Sequence, residues 1–198
     1  KPTVSRCVPR LLEADGGTAE LDGREILGAS ARDLRAMRRE IQMVFQDPMA
    51  SLNPRKRVVD LIAQGPIVHG MPAEAARAKA KDLLGLVELS PSAAERYPHE
   101  FSGGQRPRIG IARALALEPK VIVADEPVSA LDVSVQAQVL KLLAELRERL
   151  DLSLLFVTHD LRVAAQLCDR VAVMERGKIV EMGETGAMFA SPQHAYTR

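Results

Sequence analysis

"VIVADEPVSALD", residues 121–132, is an apolar run that stops abruptly on two carboxylates. Val121 to Ala124 are continuously hydrophobic and rich in β-branched residues, which predicts a buried strand. Strands of this kind, alternating with helices along the chain, imply an α/β fold with a largely parallel sheet. Ligands of such sheets bind outside the carboxyl ends of the strands. Asp125 and Glu126 therefore stand at a binding edge. An acidic pair in that place suits a divalent ion on the first carboxylate and a polarised water on the second.

Two more predicted strands finish in useful side chains. "IQMVFQ", residues 41–46, ends at Gln46, and "SLLFVTHD", residues 153–160, delivers His159. Each alone reads as a solvated or helix-capping polar residue, and together they furnish one edge. The fourth piece is "SGGQRPRIGIARAL", residues 102–115. Ser102 is placed to N-cap a helix, and Gly103 and Gly104 let an anion approach the free N–H groups of its first turn. Pro107 then falls inside that helix, near its second turn by this reading, and is expected to bend it.

The remaining elements follow from periodicity and turn chemistry. "TVSRCVPRLL" (3–12) predicts a helix interrupted by Pro9, and "GGTAELDGREIL" (16–27) a short strand pairing across Asp22-Gly23. "RVAVMERGKIVEMG" (170–183) predicts a hairpin turning at Arg176-Gly177. "RDLRAMRRE" predicts a solvated helix, and Val135, Val139, Leu142, Leu143, Leu146 and Leu150 give the helix after Asp132 one apolar stripe. Residues 57–89 read as helical, with breaks at Gly65-Pro66 and Met71-Pro72. No strand is predicted over 48–101, so this stretch reads as a helical insertion in the α/β core. "DPMASLNPRKR" (47–57) reads as a loop.

The bulk numbers set the class. The 198 residues are 46% hydrophobic and 27% charged, with a net charge of +1. That balance argues against nucleic acid as a partner and against a polybasic membrane anchor. Two cysteines, Cys7 and Cys168, are too few for a disulfide framework and suit a reducing compartment. Cys168 reads as a small core hydrophobe, and His69 and His99 as surface residues without metal-ligand spacing.

Taken in order, "SGGQRPRIGIARAL", "VIVADEPVSALD" and "FVTHD" resemble the ATP-binding cassette (ABC) ATPases over the whole chain. The resemblance implies a P-loop NTPase (RecA-like) core with an inserted helical subdomain. It divides the chain into residues 1–47 (core), 48–118 (helical subdomain with the signature), 119–190 (core) and 191–198 (the start of a C-terminal extension). It implies ATP and Mg²⁺ as cofactors. Gln46 becomes the Q-loop glutamine near metal and attacking water, and Ser102, Gly103, Gly104 and Gln105 the signature motif. Asp125 supports Mg²⁺, Glu126 is the catalytic carboxylate, Asp132 closes the D-loop "SALD", and His159 is the switch histidine. The signature then faces ATP on a second ATPase subunit. "MVFQDPMASLNPR" and the closing "SPQHAYTR" resemble the ATPases of oligopeptide, dipeptide and nickel importers. This implies transmembrane permease subunits as partners, a solute-binding protein acting indirectly, and a peripheral place on the cytoplasmic face of the plasma membrane.

The start of the chain departs from that pattern. Lys1 aligns with the P-loop lysine, but no glycines precede it and Pro2 stands where Ser or Thr is required. Thr3 is the nearest hydroxyl, one place out of register. These departures imply a truncated start and a weak ATPase, or a degenerate cassette lending its signature to an intact partner. A soluble ABC ATPase working on DNA or ribosomes fits less well, because only about 55 residues separate Gln46 from Ser102 and they lack sustained heptads.

Overall fold

The computed structural model describes residues 2–47 and 51–198. Its core is a parallel three-stranded sheet of β3 (Ile41–Val44), β4 (Val121–Asp125) and β5 (Ser153–Val157), with β4 in the centre. Two antiparallel pairs precede and follow it: β1 (Glu20–Leu21) with β2 (Arg24–Glu25), and β6 (Arg170–Glu175) with β7 (Lys178–Glu184). Both turn where predicted. Asp22 and Gly23 have φ of 51° and 74°, and Arg176 and Gly177 47° and 82°, as tight primed turns require.

The helices are α1 (Pro2–Cys7), α2 (Ala31–Glu40), α3 (Val58–Val68), α4 (Ala73–Leu86), α5 (Gln105–Leu115), α6 (Val133–Arg149), α7 (Leu161–Leu167) and α8 (Thr185–Ala190). Two 3₁₀ turns, Pro91–Glu95 and Pro98–Glu100, lead into the signature. α3, α4 and α5 pack on one another, and no strand lies among the described residues from 51 to 101. One hydrophobic cluster nonetheless runs from Ile62 and Leu84 through Ile109 to Ile122, Val139 and Leu143. α5 lies at its centre, because Ile109, Gly110, Ile111, Ala112 and Ala114 are all buried.

Several expectations need correction. α1 stops at Cys7, ahead of Pro9. α3 continues through Gly65-Pro66, with Pro66 buried, and the chain breaks only at 69–72, where His69 N–H donates to the Gly65 carbonyl. Burial of Val58, Val59, Leu61, Ile62 and Ala63 holds that helix against the proline. β5 is not a buried strand: Leu155 is 42% exposed, and β5 is the sheet's edge among the described strands. Leu150 lies outside the α6 stripe, exposed at the C-cap. The helix after Ser102 begins at Gln105, and its N-cap is Gly104 with no side-chain cap. Pro107 is thus its third residue, in the first turn, where N–H groups have no intrahelical partner. α5 runs on past it, unbroken for 11 residues, with Pro107 buried.

At the amino ends of the strands, charges are knit together. Arg24 donates to both oxygens of Glu40 at 2.8 and 2.7 Å, and Lys120 lies 3.1 Å from the same carboxylate and also binds Asp22. Near the other end of the chain, the carboxylate of Glu181 accepts the backbone N–H groups of Gln193 and His194, fixing the start of "HAYTR" against β7.

Candidate functional site

The parallel register builds the site. Val44, Ala124 and Phe156 stand abreast on the three strands. Gln46, Glu126 and His159 follow two, two and three residues later, so the sheet delivers all three to one edge. There they meet on a single atom. Gln46 Nε2 donates to Glu126 Oε2 at 3.2 Å, and His159 Nδ1 lies 3.2 Å from the same oxygen. The Glu126 side chain is 16% exposed and that of His159 67%, so an inner carboxylate sits under an outer imidazole.

The backbone at Glu126 is left-handed, with φ of 47°. It is clamped on both sides: its N–H donates to Val157 carbonyl at 2.9 Å, and its own carbonyl accepts Ser129 N–H at 3.2 Å and Ser129 Oγ at 3.1 Å. That kink ends the strand and sends Glu126 towards Gln46 and His159. Asp125, one residue earlier, remains inside at 1% exposure, with Oδ1 buried and without a hydrogen-bond partner. An orphaned carboxylate oxygen is costly in a protein interior, and a cation is the ligand that would satisfy it. Among the described residues no group of three or more His, Cys, Asp or Glu forms a metal cage. The donor set therefore fits Mg²⁺, which binds through one or two carboxylates and keeps waters and phosphate oxygens.

The signature entrance lies on a separate cleft. Ser102 and Gly103 are exposed, and the cleft of about 520 Å³ is lined by Ser102 to Gln105, Glu88, Arg108, Leu131, Asp132 and Val135. Ser102 serves the helix through its backbone: its carbonyl accepts N–H groups from Gln105 and Arg106, and its N–H donates to Gln105 Oε1 at 3.1 Å. Gly104 is required by packing, since a Cβ there would lie 2.3 Å from Val135 Cγ1. Asp132 caps α6, its Oδ1 accepting Val135 N–H at 3.0 Å. Thr3 is exposed on α1, which packs against β4, and Lys1 lies outside the described residues.

The sequence did not point to Arg113. On the last turn of α5, its Nη1 donates to the Ser51 carbonyl at 2.6 Å, 62 residues away. His69 and His99 hold no site: His69 caps α3, and His99 stacks on Tyr97 at 5.8 Å between ring centroids. Cys168 caps α7, and burial pushes its thiol pKa up.

Residues 1–129 match the ABC transporter family. The chain belongs to that family. Relatives agree over its whole length. An ATP-binding protein of Brucella ovis, named for peptide import, is 51% identical over 199 residues, covering 100% of this chain and 63% of the relative. The glutathione import ATP-binding protein GsiA of Escherichia coli is also 51% identical over 199 residues, covering 100% of this ABC chain and 32% of GsiA. The ABC chain thus spans less than two thirds of either relative. Among solved structures, cbiO1 from Clostridium perfringens, part of the ABC transporter complex cbiONQ, superposes with a TM-score of 0.85 at 28% identity. That match covers 96% of this ABC chain and 74% of cbiO1. The dimeric cassette MJ0796 bound to ADP and Pi, in a post-hydrolysis state, gives 0.81 at 29% identity, covering 93% and 80%.

Proposed function

We propose that this chain is the ATP-hydrolysing motor of an ABC importer for peptides. The observation that carries the reading is the convergence of Gln46 and His159 on one oxygen of Glu126, beside the buried, unpartnered Oδ1 of Asp125. Phosphoryl transfer to water asks a protein for positioning and charge stabilisation more than for covalent chemistry. Glu126 is the carboxylate that orients the attacking water and takes its proton. Gln46 holds that carboxylate from the β3 side, and His159 closes the outer face towards the γ-phosphate. Asp125 would hold Mg²⁺, which when bound supplies neutralisation of phosphate charge.

Ser102, Gly103, Gly104 and Gln105 complete a nucleotide site on a second cassette. The exposure of Ser102 and Gly103 on an open cleft supports this, as does the dimeric state named for MJ0796. In this reading Asp132 belongs to the same interface, Lys1 and Thr3 are assigned by sequence to the chain's own phosphates, and the domains divide at 47/48, 118/119 and 190/191. The permease dock is the groove of about 370 Å³ between α3 and the β3 end, where Leu61, Gln64 and Gly65 face Met43, Phe45 and Arg38. No helix among the described residues is long and apolar enough to cross a membrane. In this reading the motor sits peripherally on the cytoplasmic face, and a solute-binding protein acts through the permease. The names of the relatives support peptide as the cargo.

The test is Mg-ATP turnover by the purified chain, alone and mixed with an intact cassette. Glu126→Gln is expected to lower turnover by at least about 100-fold while leaving nucleotide binding in place. Turnover that survives Glu126→Gln, or none in either preparation, would sink the reading.

A further inference from the structure

We infer that Arg113 is a positioning residue that locks the segment after Gln46 to the helix bearing the signature entrance. The inference deepens the reading above and rests on it for its kinetic arm. α5 has two working ends. Its first turn follows Ser102–Gly104, and its last turn carries Arg113. The guanidinium reaches Ser51, with Nη1 to the carbonyl at 2.6 Å and Nη2 to Oγ at 3.5 Å. Ser51 N–H in turn donates to the Asp47 carbonyl at 3.1 Å, and Asp47 is the neighbour of Gln46. Gln46 then holds Glu126. Hydrogen bonds from Arg113 to Ser51 and from Ser51 to Asp47, the peptide link from Asp47 to Gln46, and the bond from Gln46 to Glu126 thus join the signature helix to the carboxylate edge.

The setting of Arg113 argues against an incidental helix-end contact. Its guanidinium is half-buried in the groove floor beside Gln42, Leu61 and Gln64. No ion pair among the described residues involves it, and burial pulls its pKa down. Removing a cation from water without a carboxylate is costly, and the bond to the Ser51 carbonyl is what that geometry returns. Because α5 is embedded in the core on its other faces, it is a rigid lever: a shift at the signature end reaches Ser51 rather than dissipating.

The test compares the chain with Arg113→Met, which keeps the apolar stem, and Arg113→Lys, which keeps one charged donor. Amide hydrogen exchange over Ser51–Arg57 is expected to rise roughly tenfold in Arg113→Met, and less in Arg113→Lys, with α5 and β4 amides unchanged. Mg-ATP kinetics should show kcat falling roughly tenfold or more in Arg113→Met, KM staying within about threefold, and Arg113→Lys recovering most of kcat. Unchanged exchange at Ser51–Arg57 overturns the tie. So does an equal loss of protection along α5 in both variants, which marks a purely structural role. If the wild-type chain does not turn over ATP, the hydrolytic reading falls, while the exchange comparison still decides the tie.

Discussion

The edge at Glu126 and the entrance at Ser102 are built on opposite plans. At the edge, three side chains from three strands close on one oxygen, and every contact lies within the chain. At the entrance Ser102 and Gly103 are open to solvent, Gln105 folds back on the Ser102 N–H, and Val135 fills the place a Cβ of residue 104 would take. The first plan makes a site that holds its own geometry. The second makes a shaped, exposed backbone, which in the proposed function meets the nucleotide of a second cassette. Both hang on one segment, 126–135, which begins at the kinked carboxylate and ends at the valine behind Gly104.

That contrast can be broken by substitution. The largest effect is expected at the edge: His159→Ala should lower Mg-ATP turnover by about 100-fold or more, with the melting temperature little changed, because the imidazole is mostly exposed. A large drop in melting temperature would instead make His159 part of the scaffold. Next comes the back of the entrance. Gly104→Ala should destabilise the chain by about 1–3 kcal/mol in urea unfolding, and Val135→Ala in the same chain should restore most of it. Without that rescue, Gly104 would be required for its backbone and not for packing.

Two smaller tests sharpen the picture by probing positions away from ligand chemistry. Arg24 and then Lys120 hold the Glu40 carboxyl below its ordinary value of 4.5. The stabilisation from this depressed group is full above that value and is lost as pH falls through its lower folded value. Glu40→Gln should therefore flatten the acid side of the stability profile, by less than about 1 kcal/mol given solvent screening, as read from urea midpoints across acidic pH. Pro107→Ala should cost roughly 0.5–1 kcal/mol, because a proline in the first turn restrains the unfolded chain. The sign decides: a kinking proline in a helix interior would give a gain of about 3 kcal/mol on removal.

The edge was legible because its signal is local. An apolar run ending in Asp125-Glu126 reports the strand, its direction and the edge it reaches, whereas Gln46 and His159, bland strand-end residues when read singly, point to that edge only together. The hairpin turns at Asp22-Gly23 and Arg176-Gly177 were legible because left-handed backbone leaves a residue signature. What failed was long-range. Whether Gly65-Pro66 breaks a helix depends on how firmly α3 is buried, and no window of sequence carries that. Pro107 looked disruptive because Ser102 was read as the cap, and two residues of displacement moved the proline into the tolerant first turn. The need for glycine at 104 comes from Val135, and the grip of Arg113 from Ser51; both partners are remote along the chain.

The left-handed backbone at Glu126 has a consequence for any attempt to harden this protein. A glutamate held at φ of 47° costs about 1 kcal/mol or more relative to a residue without a Cβ. Glu126→Gly would relieve that strain and keep the three flanking hydrogen bonds, since residue 126 joins them through its own backbone. A selection for heat resistance alone would therefore favour losing the one carboxylate on which Gln46 and His159 converge. Here durability and the proposed chemistry compete for a single residue.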